Sequence, residues 1–184
     1  MIYFSGFAFR NESELFREWL VESDYTVAGF SYGAIRALEY ASSSHRRIER
    51  LILLSPAYFQ EKSERFRRLQ IDSFLKDREG YRKRFTARCA APDVGFDPMP
   101  YLGEGSEEDL RYLLEYRWEA SKFEELRERG TRIEIFLGGR DMIVDAETAC
   151  RFFSKVGICY FIKEAGHLLR PIVKPEPEKE ENNA

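Results

Sequence analysis

The segment Gly29-Phe30-Ser31-Tyr32-Gly33 sets a serine between two glycines, each two residues away. At a strand-to-helix turn this spacing builds a nucleophile. The glycines let the backbone bend sharply, and the serine Oγ is thrust out at the top of the sheet. The backbone N–H of Tyr32 then stands where an oxyanion would form. The competing reading is a glycine-rich turn with a surface serine, and the flanking elements decide between the two. A serine nucleophile needs a base, and the chain has only two histidines, His45 and His167. His45 lies in Ser44-His45-Arg46-Arg47, between a helix and the next strand, on the face opposite Ser31. His167 lies in Glu164-Ala165-Gly166-His167-Leu168-Leu169, just past the last strand and on the face of Ser31. His167 is the expected base and His45 a solvated loop residue. A third group must orient the imidazole. Leu137-Gly138-Gly139-Arg140-Asp141 leaves the fourth strand at its carboxyl end, and Asp141 is the first carboxylate there. Asp145 is its rival, but the residues after it pattern as a helix that Asp145 would cap. A second oxyanion donor is sought in Tyr3-Phe4-Ser5-Gly6-Phe7, where Phe7 N–H is the candidate and an ordinary turn the alternative.

These residues need a scaffold that brings them to one end. Strands are expected at Met1–Phe4, Tyr25–Phe30, Ile48–Leu54, Arg132–Leu137 and Ile158–Lys163. Helices are expected from Glu12 to about Glu22 with Asn11 as cap, at Gly33–Ala41, and from Asp145 to Lys155. The middle of the chain is charged and helix-patterned, with helices at Ser63–Leu75 and from Glu107 to about Arg129. A loop over Ala91–Ser106 separates them. Strands alternating with helices argue for an α/β fold with a reduced, mostly parallel sheet of about five strands. Functional sites in such sheets lie at the carboxyl ends of the strands, which is where Ser31, Asp141, His167 and Phe7 fall. The chain divides into a core (residues 1–57 and 130–173), a helical lid inserted at 58–129, and a polar tail at 174–184.

Length and composition bound the remaining options. With 184 residues, 43% of them hydrophobic and 33% charged, the chain suits one globular domain. Its net charge of −3 argues against a nucleic-acid binder, which would be basic. No apolar run approaches the roughly 20 residues of a membrane span, and no secretory signal is visible at the N-terminus. Cys89, Cys150 and Cys159 have no metal-ligand spacing and read as reduced thiols of a cytoplasmic protein. The chemistry of Ser31, Asp141 and His167 calls for no metal or organic cofactor.

The insertion departs from the overall acidity. Between Tyr58 and Pro92 there are ten basic and five acidic residues. Arg65, Arg68, Arg82, Arg84 and Arg88 are candidates for docking an acidic partner; a solvated helix face laced with ion pairs is the alternative. Phe66, Leu69, Phe74, Tyr81 and Phe85 would pack the lid or line an acyl channel.

The chain order Ser31, Asp141, His167 is that of the α/β-hydrolases, and the sequence resembles that superfamily over essentially its whole length. Ser5-Gly6-Phe7 stands in the place of the family's His-Gly-x oxyanion segment, with Ser5 replacing the usual histidine. More narrowly, three stretches resemble the compact BioV-type pimeloyl-acyl-carrier-protein methyl ester esterases. They are Phe4-Ser5-Gly6-Phe7 with Asn11-Glu12-Ser13, Gly29-Phe30-Ser31-Tyr32-Gly33-Ala34-Ile35, and Leu53-Leu54-Ser55-Pro56. That resemblance implies a substrate, the methyl ester of a pimeloyl chain carried on acyl carrier protein, and hence that carrier as partner. A general carboxylesterase acting on small free esters and a non-catalytic ligand-binding protein on the same fold remain as alternatives.

Overall fold

The computed structural model describes residues 1–93 and 95–170; the polar tail expected at 174–184 and residues 171–173 of the core lie outside them. Five strands form one sheet in the order β1 (Ile2–Phe4), β2 (Thr26–Phe30), β3 (Arg50–Leu54), β4 (Arg132–Gly138), β5 (Ile158–Ile162). Every neighbouring pair is parallel, with Phe4 beside Gly29, Phe30 beside Leu54 and Leu54 beside Phe136. Strand order follows chain order, so each connection climbs back over the sheet and all five carboxyl ends meet at one edge. The β2 and β3 side chains are buried on both faces of the sheet, Arg50 excepted, as parallel strands with continuous apolar runs require.

Alternate residues of the strands feed two cores. Val27, Leu51, Leu53, Ile133, Ile135 and Leu137 pack with Ile35 and Leu38 of α1 (Tyr32–Ser43), Phe123 of α5 (Ala120–Glu128) and Phe153 of α6 (Ala146–Phe153). Ala28, Phe30, Ile52, Leu54 and Phe136 pack on the other face with Phe9, Phe16, Cys89, Leu168 and Leu169. Between β3 and β4 lie α2 (Glu64–Lys76), α3 (Arg78–Ala90), α4 (Glu107–Glu115) and α5. Ser63, Asp77, Ser106 and Asp145 cap α2, α3, α4 and α6 by accepting backbone N–H groups. Among the described residues, no helix is long and apolar enough to cross a membrane.

Two sequence expectations are corrected. The helix expected over Glu12–Glu22 is a single 3-10 turn, Glu12–Phe16, and Asn11 sits in the left-handed region at φ 56° without capping it. Glu12 is drawn inward to Gly6, Phe16 is buried beneath the Phe30 ring at 4.9 Å, and Trp19 reaches Phe136. The helix expected over Glu107–Arg129 breaks after Glu115 and restarts at Ala120. Trp118 lies in the break. Its indole Nε1–H donates to Ala57 O at 3.0 Å and its backbone N–H to Gln60 Oε1 at 2.8 Å. Burying such a side chain contributes about 2–3 kcal/mol, several times the tenths of a kcal/mol per residue that helix propensity offers, so packing sets the break.

Candidate active site

Ser31 follows β2 directly and precedes the first residue of α1. Its backbone is held at φ 52°, ψ −111°, a strained conformation for a residue with a side chain. Neighbouring glycines allow it. A Cβ on Gly29 would stand 2.1 Å from Gly33 O, and one on Gly33 would stand 1.9 Å from Phe4 O. The second approach seats the end of β1 against the turn. Ser31 N–H is consumed by Leu54 O at 2.8 Å, so the serine cannot be its own oxyanion donor.

Asp141 and His167 arrive from β4 and from the segment after β5. Asp141 Oδ1 accepts the N–H groups of Ile143 at 2.7 Å and Val144 at 2.9 Å. Its Oδ2 accepts His167 Nδ1–H at 2.6 Å, leaving His167 Nε2 to accept from Ser31 Oγ at 3.0 Å. Both the histidine and the carboxylate are fully buried, and Ser31 is 2% exposed, so this chain of hydrogen bonds runs in a low-dielectric interior where it is strong. The Phe30 ring packs on the imidazole at 5.1 Å. His45 is exposed in the α1–β3 connection, at the opposite end of the sheet. Asp145 is exposed and accepts Thr148 N–H at 2.9 Å at the start of α6. That backbone bond holds its carboxyl below the usual range.

The Gly6–Arg10 turn singles out one donor. Gly6 N–H goes to Glu12, Ala8 N–H to Glu104 O, Phe9 N–H to Gly6 O and Arg10 N–H to Tyr101 O. Phe7 N–H alone has no acceptor among the described residues, and Phe7 is 2% exposed. Buried N–H groups are nearly always paired, which sets Phe7 N–H apart from its neighbours in the turn. Tyr32 N–H, at the start of α1, likewise has no acceptor among the described residues. The Tyr32 hydroxyl donates to Asp109 Oδ1 at 2.9 Å, tying the turn to α4, and burial followed by that carboxylate pushes the phenol's pKa up.

Helix α3 braces the whole arrangement, which the sequence reading missed. Thr86 Oγ1 donates to Ala8 O at 3.4 Å, Arg88 to Met142 O at 2.9 Å, and Leu168 N–H donates to Cys89 O at 3.3 Å. One helix thus touches the Gly6–Arg10 turn, the Asp141 loop and the His167 loop. The signal was available in Tyr81, Phe85 and Cys89, spaced four apart on one helical face.

No family model and no curated protein matches the sequence. Solved structures do match the fold. The esterase EaEST from Exiguobacterium antarcticum superposes with a TM-score of 0.59 at 19% identity, over 77% of this chain and 59% of that one. MenH from S. aureus gives 0.58 at 13% identity, over 90% and 84%. BioG from Haemophilus influenzae gives 0.55 at 11% identity, over 91% and 87%. The fold is that of the α/β-hydrolases. The chain spans less than two thirds of the Exiguobacterium antarcticum esterase, at 59% of its length.

Helices α2, α3 and α4, with Met142 and Ile143 after Asp141, line a cavity of about 190 Å³. Phe66, Tyr81, Phe85, Leu110, Leu114 and Ile143 are among its lining residues, together with the polar Lys62, Gln70 and Arg88, and Ser31, Asp141 and His167 are not. Tyr81 and Phe85 also pack edge-on against the Phe7 ring. Of the five apolar lid residues singled out in the sequence, Phe66, Tyr81 and Phe85 line the cavity. Phe74 is wholly buried packing and Leu69 is 54% exposed. A larger polar groove of about 860 Å³, lined by residues including Asn11, Glu14, Arg17 and Tyr101, likewise contains none of Ser31, Asp141 and His167.

The lid arginines are not equivalent. Arg82 is mostly buried and bonded to Gly103 O and Glu104, which takes it out of the exposed set assumed from sequence. Arg84 pairs with Asp77 at 3.1 Å and Arg68 with Glu64 at 3.3 Å. Arg88 is exposed but spends one N–H on Met142 O. Arg65 is exposed with no ion pair among the described residues.

Proposed function

We propose that the protein is a serine carboxylic ester hydrolase. The observation that carries this is the buried run Ser31 Oγ, His167 Nε2, His167 Nδ1, Asp141 Oδ2 at 3.0 and 2.6 Å, next to a turn whose sole uncommitted N–H belongs to Phe7. His167 removes the Ser31 hydroxyl proton as Oγ attacks the ester carbonyl. Asp141 holds the imidazole in the tautomer with Nδ1 protonated and stabilises the imidazolium. Tyr32 N–H and Phe7 N–H take the developing oxyanion. His167 returns the proton to the leaving alcohol, and water activated by the same histidine hydrolyses the acyl-enzyme. The name of the Exiguobacterium antarcticum structure, an esterase, agrees with this reading.

For the substrate we propose the methyl ester of a pimeloyl chain on acyl carrier protein, cleaved to the free carboxylate and methanol. Three features support it: the resemblance carried by Phe4–Phe7, Gly29–Ile35 and Leu53–Pro56, the small cavity among the inserted helices, and the basic surplus between Tyr58 and Pro92. The cavity's 190 Å³ is below the roughly 300–1,000 Å³ of pockets for drug-sized ligands, which suits a thin linear chain. The pairs Arg68–Glu64, Lys83–Glu79 and Arg84–Asp77 favour the rival, a hydrolase of small free esters, because they consume charge a carrier would need.

Salt separates the two. The Debye length falls from ~10 Å at 0.1 M to ~3 Å at 1 M, so steering by a protein-borne ester weakens while chemistry at buried Ser31 does not. The rate on methyl pimeloyl-carrier is expected to drop with salt, and that on p-nitrophenyl acetate to hold. Arg65→Glu with Arg68→Glu is expected to raise KM for the carrier substrate alone. Equal salt dependence for both substrates, with the double reversal silent, would leave the small-ester hydrolase.

A further inference from the structure

Among the described residues two glutamates are buried in the core, and they are treated differently. Glu134, 5% exposed, is paired with Arg50 at 2.7 Å and Arg132 at 3.1 Å. Glu12 is fully buried with no cation beside it among the described residues. Its Oε1 accepts Gly6 N–H at 2.9 Å and the Tyr3 hydroxyl at 3.2 Å, while Oε2 has no partner among the described residues. Burial pushes its pKa up, against the opposing pull of Gly6 N–H. A half-satisfied buried carboxyl costs stability, so a protein that keeps one gains something else from it.

The neighbouring turn shows what is gained. Gly6 must be glycine, because a Cβ there would stand 2.7 Å from the Phe30 ring. Glycine also leaves the adjoining peptides free to rotate. A rotated Gly6–Phe7 peptide would aim a carbonyl oxygen where the Phe7 N–H now points. Phe9 N–H, donating to Gly6 O at 3.2 Å, opposes that rotation directly, and Glu12, holding Gly6 N–H, fixes the preceding Ser5–Gly6 peptide against which it would turn. We infer that Glu12 is a positioning residue of the oxyanion hole, anchoring the Ser5–Gly6 peptide and so the start of the turn from which Phe7 N–H is directed at the reacting carbonyl. This rests on the esterase reading and deepens it. The clamp needs an acceptor oxygen at Oε1 and does not need the charge, so glutamine can replace it.

The test compares Glu12→Ala, Glu12→Gln and wild type on p-nitrophenyl acetate, well below each variant's melting temperature, with near-UV circular dichroism to verify folding. Removing an oxyanion donor costs about 10²–10³ in kcat. A donor left in place but unclamped loses less, so Glu12→Ala is expected to lower kcat by roughly tenfold to a hundredfold with KM nearly unchanged. Glu12→Gln is expected to stay within about threefold of wild type, since its amide oxygen still accepts both donors. Inhibition by a trifluoromethyl ketone, whose adduct places an oxyanion in the hole, is expected to weaken in step with kcat. If the alanine variant does not fold, Glu12→Asp draws the acceptor back by one carbon and should show the same split to a smaller degree. A folded Glu12→Ala with wild-type kcat, a glutamine variant as impaired as alanine, or a loss confined to KM would overturn the inference and leave the esterase reading intact. Wild type inactive on every ester would remove both.

Discussion

Ser31→Ala is expected to lower kcat on any ester by roughly 10⁴–10⁶ while leaving the fold in place. The hydroxyl is a small group and its loss opens no large cavity. His167→Ala should be as severe, and the double variant no worse than either single one, because the two groups act in one proton transfer and their losses do not add. His45→Ala should retain wild-type turnover, since His45 lies at the amino end of β3 and is solvent-exposed. Kinetics on p-nitrophenyl acetate alongside thermal melts distinguish lost chemistry from lost folding. An inactive His45 variant, or substantial turnover without Ser31, would refute the assignment.

The next largest effect concerns the carboxylates. Asp141→Asn is expected to reduce kcat by about 10⁴, because an amide in place of Oδ2 favours the wrong imidazole tautomer. Fold stability should change less, since an asparagine oxygen still accepts the N–H groups that Asp141 Oδ1 receives from Ile143 and Val144. Asp145→Ala is expected to do the opposite. It removes the acceptor of Thr148 N–H and should cost about 1 kcal/mol of stability with turnover preserved. Measuring kcat and melting temperature for both variants checks the pair. A turnover defect confined to Asp145→Ala would exchange their roles.

The residues proposed for catalysis were readable from sequence because each is tied to a strand end. Ser31, Asp141 and His167 follow the carboxyl ends of β2, β4 and β5, and a parallel sheet collects those ends without further information. The order of elements was readable for the same reason, since apolar runs such as Leu51–Leu54 have no other place to go. What escaped were features created by contact across the fold. Glu12 patterns as the first turn of a helix, and only the fold shows its carboxylate turned inward to Gly6 N–H. The break at Trp118 follows from an indole seeking Ala57 O, a partner 61 positions away. Arg82 reads as free positive charge in sequence, but the fold sets Gly103 O and Glu104 against it. Phe7 stood as one of two readings, and it is the commitment of every other N–H in its turn that marks it out.

The central claim is that Ser31 is a nucleophile activated by His167. It is tested most directly by treating the folded protein with a fluorophosphonate and mapping the adduct by mass spectrometry. The account predicts a single adduct per chain, carried by the peptide that contains Ser31, and none in Ser31→Ala or His167→Ala under the same conditions. A folded wild-type protein that takes up no label, or takes it up at another residue with Ser31 unmodified, would contradict it.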